Sequence, residues 1–142
     1  MPTREEIILA ALAPAKGKAL TPVQVQKLFF LIDKNIAKLV GGPHFDFQPY
    51  NYGPFDKAVY DELERQRTAG NVEFIPQRTW NEFRLTEDGQ ARGDAILAKL
   101  DAKARDYIVR AVEFVMSLSF TELVSAIYKA YPDMQVNSVF KG

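Results

Sequence analysis

The chain has 142 residues, 47% hydrophobic and 25% charged, with 18 basic side chains balanced by 18 acidic ones. This is the balance of one globular domain able to bury a core. A net charge of zero lacks the bulk cationic field with which a dedicated nucleic-acid binder neutralises phosphates, and the absence of cysteine excludes disulfides, thiolate nucleophiles and cysteine-ligated zinc.

The opening stretch, MPTREEIILAALAPAKGK, lacks the basic region and long apolar run of a secretory leader. No apolar run reaches the length that spans a bilayer. The expectation is a soluble, cytoplasmic protein with no membrane partner. Three helix starts carry a capping box, in which a hydroxyl and a side chain three residues on satisfy exposed backbone N–H groups: Thr3 with Glu6, Thr21 with Gln24, and Ser119 with Glu122. The first helix is predicted from Arg4 to about Ala13. The second starts at Pro22, since proline suits the first helical position, and is predicted to reach about Val40 before Gly41-Gly42-Pro43. Its apolar positions exceed a single stripe, so it is expected to be buried on more than one side.

Between this helix and the next lies FDFQPYNYGPF, residues 45–55, with five aromatic rings, two prolines and one glycine. It reads as an extended segment. Phe45, Phe47 and Phe55 are assigned to the core, and Gly53-Pro54 to a turn feeding the next helix. Tyr50 and Tyr52 carry hydroxyls that want water or a partner, so they are assigned to the surface.

A third helix is predicted from about Phe55 to Ala69. NVEFI and EFRLT then read as a hairpin, with Arg78 and Trp80 at its tip and Arg84 in its second strand. Thr86, Glu87 and Asp88 open a further helix with a break near Asp101, running to about Leu118, and a last helix covers roughly Phe120 to Tyr131. The predicted class is mainly α (α+β): a single domain over 1–142, with a winged-helix-like core over 1–86 and one β-hairpin. The C-terminal helices, 87–142, are expected to pack on that core.

Two binding functions follow. As a DNA reader, the third helix would enter the major groove, but it carries Asp56, Asp61, Glu62 and Glu64 against Lys57, Arg65 and Arg67. Arg78, Trp80 and Arg84 of the wing are the residues best suited to phosphate, sugar or base contact. Chemistry has less support. His44 is the only histidine and reads as a loop-packing residue, and Asp46 is a lone acid among aromatics. No metal-binding, Walker or dinucleotide pattern is present, so the chain is read as a non-enzyme without cofactor or metal.

VQKLFFLIDK followed by FDFQPYNYGPFDKAVYDELERQRTAGNVEF resembles the Panacea-type domain, a family found in bacterial toxin–antitoxin pairs and in phage-associated proteins. Gln26, Lys27 and Leu28 match its QKL element, and Tyr52, Gly53 and Pro54 its YGP. FRLTEDG is similar to its entry into the following helix. ELVSAIYKAYPDM with the later NS is similar to its C-terminal motif at Glu122, Leu123, Tyr128, Tyr131 and Pro132. Phe29-Phe30 stands where Leu-Tyr is common, and Val25 where leucine is usual. The resemblance covers roughly Thr21 to Ser138. It implies an antitoxin-type role: binding a cognate toxin protein and blocking it. The candidate partner-binding residues are then Asp46, Tyr50, Tyr52, Gly53 and Pro54.

Overall fold

All three capping boxes form in the computed structural model, which describes residues 1–141. In each, the hydroxyl accepts the N–H of the residue three positions on, and the Glu or Gln side chain accepts the cap's own N–H. The helices they open are α1 (Arg4–Leu12), α2 (Pro22–Asn35) and α6 (Phe120–Ala130). Between them lie α3 (Lys57–Thr68), α4 (Glu87–Lys99) and α5 (Ala102–Ser117). The break near Asp101 is present, and Asp101 caps α5 by accepting the N–H of Lys103. The molecule is therefore mainly helical, and its strands form two small antiparallel hairpins.

The second hairpin corrects the expectation of one. The aromatic segment is not a single extended run: β1 (Gln48–Tyr50) folds back on β2 (Gly53–Phe55) around Asn51 and Tyr52. Pro49 stands opposite Pro54. Two residues without N–H groups thus share one position of the ladder, and the pairs on either side keep their donors. Because Phe55 belongs to β2, α3 starts at Lys57. Asp56 caps it, with Oδ1 accepting the N–H of Ala58 at 2.9 Å.

α2 also ends earlier than its apolar pattern suggests. Ile36 leaves helical geometry at φ −134°, and a 3-10 turn over Ala37–Leu39 follows. The Asp33 side chain then gathers the chain back, accepting the N–H groups of His44 at 2.9 Å and Phe45 at 2.8 Å. Burial holds the Asp33 pKa above the usual carboxylate value, although those two bonds and the charges of His44 and Arg4 oppose the rise.

The other hairpin pairs β3 (Val72–Pro76) with β4 (Asn81–Leu85). Leu20, just before α2, adds a bridge to Phe83, with N–H to O distances of 2.8 and 2.9 Å. α1 lies at the centre. Every residue from Ile7 to Leu12 is buried, as expected of a helix that is apolar all round. It is covered by α3, α4 and α5. The fully buried residues of α4 are Gly89 and Gly93, and Ile96 and Leu97 pack half-buried against the core. One apolar cluster runs from Ile7 and Phe29 through Ile108 to Leu123 and Ile127. Among the described residues no helix is long and apolar enough to cross a membrane.

Candidate functional site: an aromatic-rimmed groove over a buried lysine

The two hairpins and the N-terminal ends of α2 and α6 surround a groove of about 700 Å³. Tyr50, Asn51, Tyr52 and Gly53 come from the β1–β2 turn, and Thr79 and Trp80 from the tip of the β3–β4 hairpin. Phe120 and Leu123 come from α6, and Tyr60 from α3. Four of these aromatics remain open to solvent: Tyr50 by 53%, Tyr52 by 44%, Trp80 by 46% and Phe120 by 45%. They are not loose. The Tyr50 ring lies 5.0 Å from Phe55, and Tyr52 lies 5.1 Å edge-on to Phe120. Amphipathic rings held half-exposed by their neighbours are the usual anchors of a protein interface.

Lys27 also lines the groove, from the middle of α2. It is only 3% exposed. Its ammonium donates to the Pro54 carbonyl at 3.2 Å, and among the described residues no carboxylate pairs with it. Burial alone lowers its pKa from 10.5 to about 7. The residue before it holds the same stretch of chain. Gln26 accepts the Asp56 N–H at 2.9 Å and donates to the Asp56 carbonyl at 3.0 Å. Adjacent polar side chains of α2 thus bind the backbone where β2 runs into α3.

Gly53 is required for two reasons. Its φ is +100°, a region in which only glycine is unstrained, and a Cβ there would lie 3.1 Å from the Tyr128 ring. Tyr128 in turn donates to Ser138 Oγ at 2.6 Å, and Ser138 Oγ donates to the Asn51 carbonyl at 3.3 Å. The Val139 N–H donates to the same carbonyl at 3.0 Å, so the C-terminal segment straps the β1–β2 turn from behind. Gln26-Lys27, Gly53-Pro54, Tyr128 and Ser138, far apart in the chain, converge under this groove.

The predicted partner-binding residues thus divide. Tyr50 and Tyr52 are exposed on the groove. Gly53 and Pro54 are buried and shape the turn rather than offering surface. Asp46 is exposed but not among the lining residues; its N–H donates to Asp56 and its carboxylate accepts from Gln48. Phe45 is core and Phe47 is half-buried against it, whereas Phe55 is half-buried beside Tyr50 and Tyr60. Of the predicted nucleic-acid contacts on the β3–β4 hairpin, Arg78 is exposed, Trp80 turns to the groove, and Arg84 is bound to Glu73 across the strands.

α3 is electrically self-contained. Lys57 pairs with Asp61, Arg65 with Glu62 and Arg67 with Glu64, while Arg67 also covers the Phe74 ring at 4.3 Å. The count of four acids overstated their exposure, because Asp56 is the helix cap and Glu62 is buried beside Gln66. Sequence reasoning missed Phe120 and any role for Lys27 beyond a motif match. The available signals were a phenylalanine at the first position of α6, and two polar residues inside the buried run VQKLFFLI. Comparison with protein-family models, curated proteins and solved structures returns no match.

Proposed function

We propose that this chain is a protein-binding module of antitoxin type, which captures a segment of a cognate toxin in the groove between its two hairpins. The observation that carries this reading is the set of half-exposed aromatics on the groove: Tyr50, Tyr52, Trp80 and Phe120. The prolines and the C-terminal strap hold the β1–β2 side of the rim in place, so little order has to be gained there on binding. The resemblance to the Panacea-type domain supports the same reading, since several residues that carry it lie around this groove. The core from α1 to β4 is proposed to be winged-helix-like, supported by the helix order and by the Leu20–Phe83 bridge, which adds a third short strand beside the wing. A cytoplasmic home belongs to the same proposal, and a phage or mobile-element protein with another binding role is an alternative to it.

The test is direct binding to the product of the neighbouring gene. Tyr50→Ala, Tyr52→Ala and Trp80→Ala are each expected to weaken that complex by about 1–3 kcal/mol. Their melting temperatures should stay close to that of the parent, because the rings are half-exposed. Early melting with unchanged binding would move these residues from the interface to the core.

The second reading, a DNA-binding regulator, takes its support from the same winged-helix order. Against it, each cation of α3 is paired with an acid of the same helix, and Arg84 is paired with Glu73. Fluorescence anisotropy with generic duplex at physiological salt is expected to show no sub-micromolar binding. Tight binding with a steep salt dependence would put this reading first.

A further inference from the structure

We propose that the segment captured in the groove inserts an aspartate or glutamate carboxylate toward Lys27 Nζ, with apolar residues on either side against the aromatic rim. The inference rests on the groove being a partner site and adds the chemistry of the partner. Lys27 is the one charged side chain lining the groove among the described residues. The other ionisable groups there are the phenols of Tyr50, Tyr52 and Tyr60, and burial raises the pKa of Tyr60. An ammonium has three N–H donors, and Pro54 takes one of those on Lys27.

A cation shut away from water without a counter-charge is unfavourable, and its removal into neutral form is reflected in its lowered pKa. A carboxylate arriving in the groove supplies what is missing: an acceptor for the free donors and an opposite charge, at a buried lysine that the segment's apolar flanks would shield from water against the aromatic rim. A glutamine in its place keeps the shape but not the charge, and a lysine or arginine would be repelled. A nucleic-acid backbone fits poorly, because it presents a row of phosphates and this groove holds a single cation.

The probe is a random-peptide display library selected on the full chain. Enriched peptides are expected to share an aspartate or glutamate at one aligned position, flanked by apolar residues. Changing that acid to its amide in a synthetic peptide should weaken binding to the unaltered protein by about tenfold or more, the scale of a desolvated charge pair. On Lys27→Met protein the acid and amide peptides should bind alike, and on Trp80→Ala protein both should bind less well. Peptides that depend on Trp80 but show no acid preference would overturn this inference and leave the groove reading standing. Selected peptides indifferent to Trp80→Ala and Tyr52→Ala would overturn both.

Discussion

Gly89→Ala is expected to destabilise the protein by about 3 kcal/mol or more, and Gly93→Ala by about 2 kcal/mol. The sign is the informative part. In an unconstrained helix interior, replacing glycine by alanine stabilises by roughly 1 kcal/mol. Here a Cβ at Gly89 would lie 1.9 Å from the Asn71 carbonyl oxygen, and one at Gly93 would lie 2.5 Å from that of Leu9. Neither obstacle is a flexible side chain. The Leu9 carbonyl accepts the Ala13 N–H that closes α1, and the Asn71 carbonyl accepts the Thr86 N–H next to the start of α4. The methyl group therefore has to push α4 away from Asn71 or off α1, or break one of these bonds, and each of these outweighs the propensity gain. Urea unfolding followed by circular dichroism measures it, with Arg92→Ala on the exposed face of α4 as the control expected within about 0.5 kcal/mol of the parent. Alanine variants as stable as the parent would mean that α4 does not approach this closely.

Lys27→Met is expected to do the opposite and raise stability near neutral pH by about 3–4 kcal/mol. A lysine whose folded-state pKa is about 7 rather than 10.5 binds fewer protons folded than unfolded between those values. Stability therefore rises with pH across that window and is lost as pH falls from about 10.5 to about 7. By linkage the whole window amounts to roughly 5 kcal/mol. Methionine has similar length and no charge to desolvate, but it leaves the Pro54 carbonyl without its donor, which returns about 1–2 kcal/mol. The measurement is unfolding free energy against pH for both proteins. The difference between them should shrink as pH is raised from 7 to 10, with the parent climbing at up to about 1.4 kcal/mol per pH unit. Parallel curves would place the Lys27 ammonium in water.

The helix starts were legible because capping is local: a hydroxyl, a spacing of three and a run of helix formers suffice at Thr3, Thr21 and Ser119. The break at Asp101 was legible for the same reason. The β1–β2 hairpin was not, since Gln-Pro-Tyr and Gly-Pro-Phe read as anti-strand sequences until the prolines are seen to face each other. The early end of α2 was hidden because Ile36 and Val40 continue the apolar pattern, although they are buried from outside the helix. Of the groove, Tyr50 and Tyr52 were legible from their chemistry. Trp80 was legible as a residue of the hairpin tip but not as their neighbour, because that depends on where two hairpin tips meet. Lys27 was concealed by the prior that lysine is solvated.

The central position of α1 has a consequence for the growing chain. Among the described elements α1 is the first to be synthesised, yet its cover is completed only when α4 and α5 have followed. At ordinary elongation rates that interval lasts roughly 5–20 s. Throughout it, a helix with no polar face from Ile7 to Leu12 must be shielded by something else, whether the ribosome surface, a chaperone or an early association with α2 and α3. The nascent protein is thus most prone to aggregation well before the groove exists. Substitutions that slow the docking of α4 would then lower the yield of soluble protein by more than the stability of the finished fold suggests.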